Sequence, residues 1–199
     1  ADNLDNWTYN GSWSTWTDET EHPSTLTSPY VRTTAAGIST LSKTLTYLPE
    51  GQYKLTANAY AYNYGSTKRN QYLYLNDQTV TINSASNRSA TLRNIMGNVT
   101  SDGRMEFGIK ATSTSSATNI AIDNVRLIFQ GSKAEYIEGI NNITYNLFAE
   151  ALTLVDKPMN ATPKAALQTV VDAVNATKTT YIDHIESDIA SPADVDAWI

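Results

Sequence analysis

Tyrosines alternate with small polar residues in the first half of the chain, a pattern that suits the binding of sugars. They stand at every second position in two nearby segments, as Tyr60, Tyr62 and Tyr64 and then Tyr72 and Tyr74. A flat ring packs against the C–H face of a sugar, while amide and guanidinium groups bind its hydroxyls. If the two segments pair as neighbouring strands, the rings form one patch. The alternative is that the patch packs against the C-terminal helical segment, because five exposed tyrosines are costly in a solitary domain.

Tryptophans near the N-terminus form a second candidate set, around the turn-rich residues 10–12. Trp13 or Trp16 is predicted to stack on a sugar together with Tyr62 or Tyr64. The alternative places each tryptophan in the core, since large aromatic side chains are mostly buried. The polar partners predicted for the sugar hydroxyls are Asn63, Arg69 and Arg88.

Catalytic signatures are missing from the sequence, and we expect no enzyme. The chain has no cysteine and only two histidines, His22 and His184, which excludes thiol chemistry and leaves little for zinc or a serine triad. It contains no G-x-S-x-G elbow and no phosphate-binding glycine loop. Asp123 lies within an apolar strand, where a carboxylate needs a partner such as Arg126 or Arg32.

Composition and charge divide the 199 residues near Gly131 and Ser132. The first part is rich in Thr, Tyr, Asn and Gly and has no net charge, whereas the last 67 residues carry the whole net charge of −6. An acidic surface does not fit nucleic acid, because backbone binding needs cations. No run of apolar residues is long enough to span a membrane. We therefore expect neither nucleic acid nor membrane as a partner.

The elements that must position these side chains follow from hydrophobic periodicity. Short alternating segments predict strands whose buried faces carry Leu41 and Leu45, Tyr53 and Leu55, Leu73 and Leu75, and Met105, Phe107 and Ile109. A nearly continuous apolar strand follows around Asp123. Together they predict an antiparallel β-sandwich of the jelly-roll type over 1–131. Apolar residues from Ile137 to Leu154 recur with helical spacing and predict a helix that Pro158 ends. A second helix is predicted from Thr162–Pro163 and the start of a third near Ser191, so 132–199 forms a helical segment.

Three stretches give this β-segment a family resemblance: WTYNGSWSTWT followed by SPYV, LTYLPEGQYKLTANAYA, and AIDNVRLIFQG. They resemble the galactose-binding-domain-like jelly rolls of secreted and surface proteins of gut Bacteroidetes, which are carbohydrate-binding-module-like. The helical tail is similar to FIVAR-like bundles. The resemblance implies a structural calcium near the first and last strands, with Asp123 as a ligand, and neighbouring domains in a longer chain. It also implies a secreted, periplasmic or cell-surface location, consistent with a signal peptide removed before Ala1.

The sequence thus predicts a non-catalytic module that binds a polysaccharide or other glycan through aromatic stacking and polar contacts. The alternative is a structural spacer or protein-interaction module without a sugar site, in which the helices contact a neighbouring domain. Fold analogy does not decide between these functions.

Overall fold

The computed structural model describes residues 4, 6–17, 26, 29–34, 37–63, 71–82, 90–112, 118–155 and 161–187. The strands are β1 (Thr8–Asn10), β2 (Trp13–Trp16), β3 (Tyr30–Thr33), β4 (Ile38–Leu45), β5 (Gly51–Asn63), β6 (Gln71–Leu75), β7 (Gln78–Thr81), β8 (Thr91–Val99), β9 (Met105–Thr112) and β10 (Thr118–Phe129). Two helices follow, α1 (Lys133–Val155) and α2 (Ala161–Ser187). Neither described helix has a stretch long and apolar enough to cross a membrane.

The strands form two antiparallel sheets that enclose the core. Sheet A has the order β1-β4-β9-β6-β7, and sheet B has the order β2-β3-β10-β5-β8. This arrangement confirms the predicted β-sandwich with a C-terminal helical segment. The long strands β5 and β10 pair along most of their length at the centre of sheet B. Their register shifts between Asp123 and Arg126, where Asn124 has a positive φ of 50°.

The core lies between the sheets, and the alternation seen in the sequence selects its residues. Leu55 in β5, Leu73 in β6 and Phe107 in β9 are all fully enclosed and belong to one hydrophobic cluster. Side chains of opposite parity in β9, Glu106 and Lys110, stay partly exposed. Period-two alternation places one set on each face of a strand, so this part of the sequence pattern was sufficient to assign the buried face.

The proposed single patch of tyrosines is wrong, because the strands that carry it lie in different sheets. β5 pairs with β10 and β8 in sheet B, whereas β6 pairs with β9 and β7 in sheet A. Tyr60 is only 1% exposed and packs in a second cluster with Leu26 and Tyr30, which contains no described helix residue. Tyr74 does point away from Leu73, as predicted, but it is only 7% exposed.

The first turn of helix α1 packs against the β-sandwich. Ser132 and Glu135 form a capping box: the Glu135 N–H donates to Ser132 Oγ at 3.2 Å, and the Ser132 N–H donates to Glu135 Oε2 at 2.6 Å. Tyr136 is buried against Phe129, with ring centroids 5.2 Å apart. The change from strand to helix therefore falls at the predicted boundary, although Tyr136 joins the β-core. The division into two domains, 1–131 and 132–199, stays a prediction.

The predicted helix ends agree closely with the structure. α1 ends at Val155, before Pro158, and α2 begins at Ala161, one residue before the predicted cap. Close packing fixes α1 on the sandwich, since a Cβ added at Gly139 would lie 2.5 Å from Pro49 Cβ. The predicted third helix start near Ser191 lies outside the described residues.

Candidate functional site

The predicted sugar-binding residues fall into two groups, and the structure describes only one of them. Tyr64, Arg69 and Arg88 lie outside the described residues. Strand β5 ends with Tyr62 and Asn63, which pair with Asn119 and Thr118 of β10. Their side chains are not among the described parts of the structure. Their roles in binding stay predictions.

Both candidate tryptophans lie on the edge strand β2, but their surroundings differ. Trp13 is 6% exposed, belongs to the core, and donates from Nε1 to the Asn10 carbonyl at 3.1 Å. A sugar would have to displace protein to reach its ring. Trp16 is half-buried, with the Arg32 guanidinium carbon 4.3 Å from its ring centroid. Because Arg32 Nε donates to Asn119 Oδ1 at 2.8 Å, this cation lies fixed over one face of the indole.

Asp123 is buried and its carboxylate is engaged by the next residue. Its Oδ1 accepts from the Asn124 N–H at 2.7 Å, and its Oδ2 accepts from Asn124 Nδ2 at 3.3 Å. Calcium requires six to eight oxygen ligands. Among the described residues, however, no group of three or more acidic, His or Cys side chains is placed to hold a metal. A structural calcium near Asp123 stays a prediction, which a thermal shift on adding Ca²⁺ would check.

A polar cleft of about 570 Å³ lies on the face of sheet A that points away from the core. All ten side chains that line it carry a hydroxyl, an amide or a charge: Thr40, Tyr74, Asn76, Asp77, Asn98, Thr100, Asp102, Arg104, Glu106 and Lys110. Strand residues supply its floor, and two tight turns supply its walls, the β6–β7 turn and the β8–β9 turn. Sequence reasoning missed this site because three separated segments contribute to it and no motif marks them.

Hydrogen bonds within the protein fix both walls. Asn76, with a φ of 49°, donates its N–H to the Glu106 carbonyl at 2.7 Å and accepts the Glu106 N–H on Oδ1 at 2.8 Å. Asp102 Oδ1 accepts from Thr100 Oγ1 at 3.0 Å and from the Arg104 N–H at 3.2 Å. The bond from the Arg104 backbone, followed by that from Thr100, lowers the pKa of Asp102 below its usual value. The turn therefore presents a carboxylate at neutral pH.

The floor of the cleft is a cluster of charged groups around one phenol. Tyr74 donates its hydroxyl to Glu106 Oε1 at 3.2 Å, and Arg104 Nη2 lies 3.4 Å from Glu106 Oε2. Lys110 Nζ lies 4.9 Å from the centroid of the Tyr74 ring. Burial is the main cause that raises the pKa of Tyr74 to about 12, so its hydroxyl remains a donor.

Comparison with known proteins identifies the fold. No family model matches the chain, and no curated protein sequence matches it. The chain is similar to a structure of TmCBM61 in complex with β-1,4-galactotriose, with a TM-score of 0.52 and 13% identity over 65% of this chain and 92% of that one. A family 35 carbohydrate binding module from Clostridium thermocellum gives a TM-score of 0.41 and 15% identity over 63% of this chain and 93% of that one. The likeness to the first of these structures shows that the sandwich has a jelly-roll fold.

Proposed function

We propose that the protein is a non-catalytic glycan-binding module and that the cleft on sheet A is its binding site. The observation that carries this proposal is that all ten lining side chains are polar and that the turn residues among them are already fixed by mutual hydrogen bonds. The cleft volume of about 570 Å³ falls in the range of about 300–1,000 Å³ typical of small-molecule sites. The jelly-roll fold supports the same function by analogy.

The chemistry of the cleft matches that of a sugar. Each sugar hydroxyl both donates and accepts, and the cleft offers acceptors in Asp102 and Glu106 beside donors in Arg104 and Lys110. The hydrogen bonds that already hold Asp102 and Glu106 lower the entropy lost on binding. Affinity is nevertheless weak, because each new hydrogen bond replaces one made to water and contributes about 0.5–1.5 kcal/mol.

The residues predicted from sequence are kept as a separate proposal for the same function. Trp16 lies on sheet B, and Tyr62 and Asn63 end a strand of that sheet. We retain these three, with Tyr64, Arg69 and Arg88, as a second proposed contact surface. The buried ring of Trp13 does not support a stacking role. Binding of an extracellular polysaccharide would place the protein outside the cytoplasm, in agreement with the predicted secreted, periplasmic or cell-surface location.

A glycan array followed by calorimetry tests the proposal. Probes are galacto-, xylo-, manno- and cello-oligosaccharides with β-1,4 linkages, and β-1,4-galactotriose is the first because the solved structure of a similar fold contains it. We expect weak binding that Arg104→Ala reduces at least fivefold, whereas Trp16→Ala reports on the sheet B surface. No binding of any glycan by the unaltered protein would refute the proposed function and favour the structural spacer, which the rigid start of α1 would suit.

A further inference from the structure

Tyr47 stands out as an exposed aromatic ring held in an unfavourable backbone conformation. It lies in the β4–β5 connection, its side chain is 60% exposed, and its φ is 62°. The residues around it are buried: Leu45 and Leu48 belong to the hydrophobic core. Pro49 is also buried. The loop is therefore anchored on both sides, while the tyrosine ring projects into water.

A tyrosine is a poor choice for this conformation. Positive φ is strained for residues with a large side chain, and glycine or asparagine serves far better. Among the described residues, four that are not glycine have positive φ, and the other three are Asn6, Asn76 and Asn124. Strained conformations of this kind persist where the surrounding structure enforces them and are concentrated at functional sites. The ring at position 47 therefore requires an explanation beyond the turn itself.

The structure enforces the Tyr47 conformation through contacts with the wall of the cleft. The Leu48 N–H donates to the Gly103 carbonyl at 2.9 Å, and a Cβ added at Gly103 would lie 3.4 Å from Tyr47 Cα. Gly103 stands between Asp102 and Arg104, which both line the cleft. On the other side of the loop, Tyr53 donates its hydroxyl to the Pro49 carbonyl at 2.9 Å. Tyr47 is thus fixed directly beside the proposed binding site.

A second hollow lies against this loop and shares one lining residue with the cleft. It has a volume of about 300 Å³ and is lined by Leu48, Glu50 and Gly103, together with residues of α1. Thr100 lines both the hollow and the cleft. There is therefore space on both sides of the β8–β9 turn, which packs against the Tyr47 backbone. This arrangement suits an extended ligand better than a single sugar.

We propose that Tyr47 is a stacking residue that extends the cleft and that the ligand is an internal stretch of a neutral pyranose chain. One sugar occupies the polar cleft, and the C–H face of another packs on the Tyr47 ring. This inference rests on the proposed glycan-binding function. The strained backbone conformation of Tyr47 is retained because ligand binding requires the aromatic ring. Glycine or asparagine would suit the turn alone.

Three variants separate the ring from the backbone. Tyr47→Asn removes the ring and suits a positive φ, Tyr47→Phe keeps the ring, and Tyr145→Asn removes an equally exposed tyrosine from α1 as a control. Calorimetry is carried out with the β-1,4-linked oligosaccharides named above, from monosaccharide to hexasaccharide. Tm is measured for every variant.

We expect Tyr47→Asn to weaken binding of the hexasaccharide about fivefold to tenfold and to leave monosaccharide binding unchanged, with a Tm equal to or above that of the unaltered protein. Tyr47→Phe and Tyr145→Asn should bind as the unaltered protein does. If Tyr47→Asn binds the hexasaccharide fully while Arg104→Ala loses it, the stacking role is refuted and the cleft remains. If the unaltered protein binds none of the probes, the proposed function itself fails.

Discussion

The hydroxyl of Tyr74 donates to Glu106 Oε1 at 3.2 Å, joining a buried phenol of β6 to a carboxylate of the adjacent strand β9. Both residues line the floor of the cleft, and the same carboxylate also meets Arg104. The orientation of Glu106 therefore depends on a residue that is almost inaccessible to solvent.

Removal of that hydroxyl should affect both stability and binding. We expect Tyr74→Phe to lower the free energy of unfolding by about 1–2 kcal/mol, since a hydrogen bond to a charged group is lost. Glycan affinity should also decrease, because the Glu106 side chain loses a hydrogen bond that orients it. Urea unfolding and calorimetry measure the two effects. Tyr72→Phe, at a half-buried position on the same strand, is the control and should change neither.

Stability should decrease at alkaline pH because of Tyr136. Burial raises its pKa from 10.0 to about 12 in the folded protein. The folded state therefore holds its proton more tightly than the unfolded state, so the contribution is complete below pH 10 and is lost as pH rises towards 12. The loss amounts to about 2–3 kcal/mol. Urea unfolding across this range should show a smaller pH dependence in Tyr136→Phe; an unchanged dependence would contradict the assignment.

Gly139 is predicted to tolerate no side chain, although it lies within a helix. An alanine in a helix is normally more favourable than glycine by about 1 kcal/mol. Here the added Cβ would lie 2.5 Å from Pro49 Cβ, and we expect Gly139→Ala to destabilise the protein by about 1–3 kcal/mol. Asn141→Ala, at an exposed position of α1, should be neutral or stabilising. An equal gain in Tm for both variants would show that α1 does not pack on the loop.

Arg32 should protect the indole of Trp16 from water. Arg32→Ala removes the cation over the ring and the bond to Asn119. We expect a red shift of tryptophan emission and a loss of about 1–2 kcal/mol in stability. Arg104→Ala is the matched control, because the Arg104 side chain is 55% exposed and pairs only with surface groups in the contacts described. An unshifted spectrum in Arg32→Ala would indicate that other groups cover Trp16.

Local patterns predicted β4, β5, β6, β9, β10 and both helices, whereas β1, β2, β3 and β8 were not predicted. Alternation in β5 and β9 assigned the buried faces, and the spacing from Ile137 to Leu154 predicted α1, because each pattern depends only on neighbours along the chain. Strand pairing was harder to predict. Residues 64–70 are compatible with either a hairpin or a crossing between sheets, so the partner of β6 could not be derived from sequence.

Most of the candidate site could not be predicted from sequence, because it depends on contacts between segments that are distant in the chain. Tyr60 and Tyr74 lie on the outward faces that alternation indicated, yet Leu26 covers the first and Lys110 lies over the second. Such covering depends on segments distant in the chain. The cleft joins two turns to residues of four strands, β4, β6, β8 and β9. The positive φ of Tyr47 is likewise a tertiary property that a tyrosine in the sequence does not signal.

The anchoring of α1 has a mechanical consequence. Phe129 lies at the end of the last strand and contacts both Tyr53 and Tyr136. A pulling force applied through the helices would therefore act on this aromatic cluster and on the paired strands β5 and β10 together. It would not be absorbed by a flexible linker. A partner bound to α1 would keep a fixed orientation relative to the sandwich. Rotation of that partner would therefore rotate the cleft as well.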